Sequence, residues 1–215
     1  MNIVDKILDL KIIPVVRNVK KRNIQKYLEI LMRYEINLVE VTCMDDESFK
    51  LIEYVRNTYP QVTVGAGTIL NPAQVTMAVD AGAEFLVSPG FLESVVKLAQ
   101  AKGVIMIPGV ATASEIMKAI SENLLLVKVF PAIQLTPYFF REIKGPFPKI
   151  KLIAVGGITC ENIENFLKAG ADCVGIGSGL FKDNSGKDIY ENGFEVRLKK
   201  FKEIIEKYKF SPNFR

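Results

Sequence analysis

"IIPVVRNVKK", residues 12–21, decides between two folds. It reads as a short strand, Ile12–Val16, running into a polar turn. An open doubly wound sheet calls for a glycine-rich turn after its first strand, where backbone must approach a phosphate closely. Here Arg17, Asn18 and Val19 make the turn, followed by two lysines and no glycine. A closed barrel makes no such demand.

Outward from this point, seven more β-rich apolar runs recur at intervals of roughly 20–25 residues, the rhythm of successive strand–helix units. They are Leu38–Thr42, Val62–Gly67, Glu84–Pro89, Val104–Gly109, Leu126–Pro131, Leu152–Gly157 and Cys173–Ser178. Amphipathic stretches of helical period lie between them, such as "RNIQKYLEILMRYE" (22–35) and "ESVVKLAQAKG" (93–103). Asn71, Thr112 and Thr159 stand where helices should start, and Gly82, Gly103 and Gly170 where they should stop. The expectation is an α/β fold: one domain over residues 1–215, a (β/α)8 TIM barrel with a short N-terminal helix across its bottom.

Composition narrows the chemistry. Apolar residues form 49% of the 215, enough for one large core, and the formal charge is only +4. No basic run interleaves with aromatics, so nucleic-acid binding is not indicated. The chain has no histidine and three scattered cysteines, Cys43, Cys160 and Cys173. The usual zinc and non-haem iron ligand sets cannot be assembled from it, nor can a Ser-His-Asp triad. The N-terminal stretch is broken by charges rather than forming a signal-peptide core, and no apolar run reaches the length of a membrane span. A cytoplasmic setting is expected.

One lysine then stands out. In "LLLVKVFPA" (Leu124–Ala132), Lys128 interrupts an apolar run. Strand side chains alternate, so Val127 and Val129 go to the helix layer while Leu126, Lys128 and Phe130 face the barrel interior. The same alternation in "LVEVT" puts Leu38, Glu40 and Thr42 inward. A lysine and a glutamate therefore face one interior near the C-terminal ends of their strands, where barrel active sites form. One reading is a buried ion pair that only satisfies both charges. The other is chemical: a desolvated lysine attacks a carbonyl to form a Schiff base, and a nearby carboxylate shuttles protons.

Thr68, after "VGAG", is placed to orient water or a substrate carboxylate, although such a turn also has a purely conformational explanation. Gly156, Gly157, Gly177 and Ser178 end strands seven and eight, where barrels often bind phosphate through backbone N–H groups. Tight turns would equally call for glycine there. Arg17 is either a clamp for an anionic substrate or a solvated surface arginine.

Taken together, "PVVR", "VEVT", "VGAGTILNPAQ", "SPG", "IPGVATASEI", "VKVFPA", "KGPFP" and "VGGITCENIENFLKAGA" occur in an order that covers nearly the whole chain. This pattern resembles the class I aldolases of 2-keto-3-deoxy-6-phosphogluconate (KDPG), including those that cleave 4-hydroxy-2-oxoglutarate (KHG). The resemblance implies a lyase that reversibly cleaves a phosphorylated keto acid to pyruvate and an aldehyde such as glyceraldehyde 3-phosphate. It implies Lys128 as Schiff-base lysine, Glu40 as acid and base, and Thr68 as the orienting group. Gly156, Gly157, Gly177 and Ser178 fall at the family's phosphate-binding positions. A homotrimer without metal or organic cofactor is implied as well.

The chain departs from the pattern at three places. Cys43 and Met44 stand where many members have Leu-Arg, Ile133 replaces a common glutamate, and "QLTPYF" replaces a glycine pair. A branch acting on the phosphogalactonate epimer also lacks that arginine and uses the arginine ending strand one, a role that falls to Arg17. The epimer, the need for phosphate and activity on KHG are left open. Two other readings stand beside this one: a thiamine-phosphate synthase, against which "KVFPA" argues, and a non-catalytic phosphate- or sugar-acid-binding homologue.

Overall fold

A computed structural model describes residues 2–19, 21–182, 189 and 191–209. Its strands are β1 (Ile12–Val16), β2 (Leu38–Thr42), β3 (Thr63–Gly67), β4 (Phe85–Val87), β5 (Ile105–Ile107), β6 (Gly109–Val110), β7 (Leu126–Val129), β8 (Lys151–Val155) and β9 (Cys173–Ile176). All pair in parallel, in the order β5-β4-β3-β2-β1-β9-β8-β7-β6.

The expected strand Val104–Gly109 is broken in two. Pro108, which has no N–H to donate, separates β5 from β6. β5 pairs with β4 on one side and β6 with β7 on the other, so the broken strand brings the two ends of the sheet together. Lys128 N donates to Pro108 O at 2.9 Å, carrying the ladder across the break. The result is the expected eight-fold barrel, with one position shared by two short segments.

The helices are α1 (Ile3–Leu10), α2 (Lys21–Arg33), α3 (Asp46–Thr58), α4 (Pro72–Asp80), α5 (Glu93–Ala101), α6 (Ala113–Ser121), α7 (Ala132–Lys144), α8 (Ile163–Lys168), α9 (Ser178–Phe181) and α10 (Glu191–Lys209). Two of the three expected caps are in place. Asn71 accepts from Gln74 N at 3.0 Å and Thr112 from Glu115 N at 3.3 Å. The third differs: α8 starts later, with Asn162 preceding it, and Asn162 Oδ1 instead accepts from Thr159 N at 2.8 Å. Gly82, Gly103 and Gly170 take left-handed φ angles of 89°, 68° and 101° just beyond helix ends. α7 is kinked at Thr136, before Pro137. No described helix is long and apolar enough to cross a membrane.

Two apolar layers follow from the strand alternation. Val39, Val41, Val127 and Val129 belong to the large layer beneath the helices. Leu38, Phe85, Val87, Ile107, Leu126 and Ile153 fill the barrel interior. α1 closes the bottom: Ile7 is fully buried in the interior cluster, and Lys6 Nζ donates to Thr63 Oγ1 at 2.8 Å. With α1 across the bottom, where Thr63 meets Lys6, the charged inward residues Glu40 and Lys128 lie further along their strands.

Candidate active site

Lys128 on β7 is only 6% exposed. Its register partners are Gly109 on β6 and Ile153 on β8. Gly109 has no room for a side chain, because a Cβ there would overlap the backbone of Pro89. The lysine thus stands between a bare strand edge and an apolar neighbour, with its Nζ 4.8 Å from the centre of the Phe130 ring. The sequence alternation that put Leu126, Lys128 and Phe130 on one face is realised.

Glu40 on β2 is 3% exposed and in register with Val15 and Gly65. Two glycines of "VGAG" make its place. Phe85 fills the space beside Gly65, and the Glu40 carboxylate lies over Gly67. These glycines leave room for Phe85 and Glu40. Burial raises the Glu40 pKa, and the charges of Lys128 and Arg17 partly oppose the rise. Among the described residues, Lys128 and Glu40 form no direct ion pair within 4.0 Å. They interact through space, which leaves both ends free for a ligand.

Arg17 is solvent-exposed just after β1 yet acts on Glu40 electrostatically, so it belongs to the mouth. Thr68, half-buried, follows β3 with a left-handed φ of 61°. That conformation costs a β-branched residue about 1–2 kcal/mol, a strain of the kind that gathers at functional sites. Cys43, next to this centre, is buried with its thiol pushed up to about 12, chiefly by desolvation, and so stays a neutral packing group.

The glycine loops also meet. Gly156 and Gly157, at φ 95° and 79°, turn the chain after β8. Gly156 O accepts from Ile133 N at 3.0 Å, and Gly157 O accepts from Asn162 Nδ2 at 2.7 Å. Gly177 and Ser178 begin the single-turn α9, whose Gly179 packs against Ile158 O. Arg197 on α10 donates to Gly179 O at 3.0 Å and holds that turn. The structure therefore places the expected residues at one end of the barrel: Lys128, Glu40 and Thr68 at its mouth, with Gly156 beside Phe130 and Gly177 beside Val15.

One site residue escaped assignment from sequence. Thr42 is 2% exposed, and its hydroxyl is buried without a hydrogen-bond partner among the described residues. Alternation alone puts it inward but gives no sign that its hydroxyl is unsatisfied. Met44, two residues on, is 61% exposed and offers no charge to the mouth.

Residues 3–192 match the family described as KDPG and KHG aldolase. The chain belongs to that family. A 2-dehydro-3-deoxy-phosphogluconate aldolase of Pseudomonas aeruginosa is 31% identical over 169 residues, 78% of this chain and 77% of the relative. A 2-dehydro-3-deoxy-6-phosphogalactonate aldolase of Escherichia coli is 30% identical over 144 residues, 66% and 70% of the two chains. The crystal structure of a KDPG aldolase of Legionella pneumophila, with pyruvate captured as a covalent carbinolamine intermediate, superposes with a TM-score of 0.79. It is 30% identical, and the match covers 92% of this chain and 94% of that one. This KDPG/KHG aldolase family member thus has relatives named for both epimers at nearly equal identity.

Proposed function

We propose that this family member is a Schiff-base aldolase that reversibly cleaves a 2-keto-3-deoxy-6-phospho-sugar acid to pyruvate and an aldehyde. The observation that carries the reading is Lys128, buried in an apolar niche at the catalytic end and not tied to Glu40 by a direct ion pair. The Lys128 amine nitrogen adds to the C2 carbonyl, and loss of water with net uptake of one proton, given back when the adduct is hydrolysed, leaves an iminium. Glu40 takes the proton of the C4 hydroxyl. The C3–C4 bond then breaks, its electrons neutralise the iminium to an enamine, and the aldehyde departs. Glu40 returns the proton to C3, and hydrolysis frees pyruvate. The iminium is the electron sink, so the reaction as written needs no metal or organic cofactor.

Thr68 orients the keto-acid end, and the turns holding Gly156, Gly157, Gly177 and Ser178 take the 6-phosphate through backbone N–H groups. Arg17 binds the substrate's anionic end. A homotrimer in a cytoplasmic setting completes the reading, and the exposed apolar side chains of Met117 and Tyr138 are compatible with subunit contact.

The galactonate epimer is the second reading, favoured by Arg17. The second cation that acts on Glu40, after Lys128, is Arg17 just beyond β1, whereas the chain beyond β2 carries the uncharged Met44. Pyruvate release should be measured on both 6-phosphorylated epimers and on KHG, with Lys128→Ala as control. Release from at least one phosphorylated epimer, lost in the variant, is expected. Folded protein that binds these acids without releasing pyruvate would instead be a non-catalytic homologue.

A further inference from the structure

Leu38, Glu40 and Thr42 are successive inward positions of β2, facing Thr63, Gly65 and Gly67 of β3 in register. The Glu40 side chain does not sit over its own partner, Gly65, whose space Phe85 occupies. It leans toward the mouth and lies over Gly67, the residue opposite Thr42. The Glu40 carboxylate therefore lies over the glycine that is the register partner of Thr42. Buried polar atoms almost always have partners, and this hydroxyl is the described exception.

We propose that the Thr42 hydroxyl binds the substrate oxygen on which Glu40 acts, which is the C4 hydroxyl in cleavage and the aldehyde oxygen in condensation. The inference rests on the aldolase reading and adds a contact to it. A substrate oxygen held by Glu40 above Gly67 lies over the register partner of Thr42, one strand away from its side chain. A hydroxyl suits this oxygen in each of its forms, because it both donates and accepts. In condensation the aldehyde oxygen gains negative charge as the C3–C4 bond forms, before the Glu40 proton reaches it. A hydrogen bond donated by Thr42 stabilises that charge. In cleavage the same bond holds the C4 hydroxyl toward the carboxylate. Free pyruvate has no such oxygen, so steps involving pyruvate alone should not need Thr42.

That difference gives the test. Thr42→Val keeps the shape and removes the hydroxyl, while Thr42→Ser keeps the hydroxyl. Three rates are compared: pyruvate release from the cleavage substrate, exchange of pyruvate methyl protons with deuterium, and borohydride trapping of pyruvate. Thr42→Val should lose ~10- to 100-fold in cleavage while exchange and trapping stay within ~2-fold, and Thr42→Ser should retain most cleavage. Unchanged cleavage in Thr42→Val, an equal loss of exchange, or a Thr42→Ser as defective as Thr42→Val would overturn the assignment and leave the aldolase intact. Absence of both trapping and exchange in the unsubstituted protein would remove the aldolase reading and this contact with it.

Discussion

The carboxylate of Glu40 occupies the space that a side chain on Gly67 would need. The backbone of Gly67 is ordinary, with no left-handed φ, so alanine there meets a steric obstacle rather than a conformational one. Gly67→Ala should push Glu40 out of position. Cleavage should fall by ~100-fold or more for a loss of stability of ~1–3 kcal/mol. Steady-state kinetics and thermal unfolding measured together check this, since a folded but inactive variant is the expected outcome.

Glu40 also links activity to stability. Burial raises its pKa above the ordinary 4.5, so the folded state binds the proton more tightly than the unfolded chain. Stability therefore declines as pH rises from the unfolded pKa through the folded one. Glu40→Gln removes that penalty. It should abolish turnover yet raise Tm at neutral pH, with the gain fading in acid below the ordinary carboxylate value. Arg17 opposes the rise, so Arg17→Gln should move the acid limb of the pH–rate profile further up. Unfolding curves across pH and a pH–rate profile for each variant are the measurements.

Gly157 combines a left-handed φ of 79° with a close neighbour, because a Cβ there would come within 2.6 Å of Ile133 Cβ. Gly157→Ala should distort the loop after β8. KM for a 6-phosphorylated substrate should rise about tenfold, with little change toward unphosphorylated KHG. Adding Ile133→Ala relieves the overlap but not the backbone strain, and should restore part of the loss. Comparison of KM values for the two substrate types decides whether this loop takes the phosphate.

At the opposite end of the barrel, Asp172 ties three elements together. Its Oδ2 accepts from Lys144 Nζ at 2.6 Å and from Leu152 N at 2.9 Å, and its Oδ1 from Lys151 Nζ at 3.1 Å. Its side chain is 14% exposed. Asp172→Asn should cost ~2 kcal/mol, a fall in Tm of roughly 4–8 °C, with kcat unchanged. Calorimetry beside kinetics separates this structural cluster from the chemistry above it.

The barrel was legible because strand alternation and strand spacing are local properties. "LVEVT" and "LVKVF" alone put Glu40 and Lys128 inside, and Gly82, Gly103 and Gly170 marked helix ends through a conformation that few other residues adopt. What escaped the sequence depends on contacts across the barrel. The break at Pro108 is one case, since it follows from the packing of Gly109 against Pro89 as well as from proline itself. The use of Gly65 and Gly67 is another, because it is set by Phe85 and Glu40 on neighbouring strands. Thr42 is the clearest instance. Whether a hydroxyl finds a partner depends on every element around it, and no residue pattern along one strand reports that.

The most direct test of the account is borohydride reduction in the presence of pyruvate, followed by peptide mapping. Mapping is essential in a chain with 28 lysines and arginines. A reduced pyruvyl adduct on Lys128, absent from Lys128→Ala, is the predicted result. Folded protein that forms no adduct across a range of pH, or forms it on a different lysine, would contradict the Schiff-base reading.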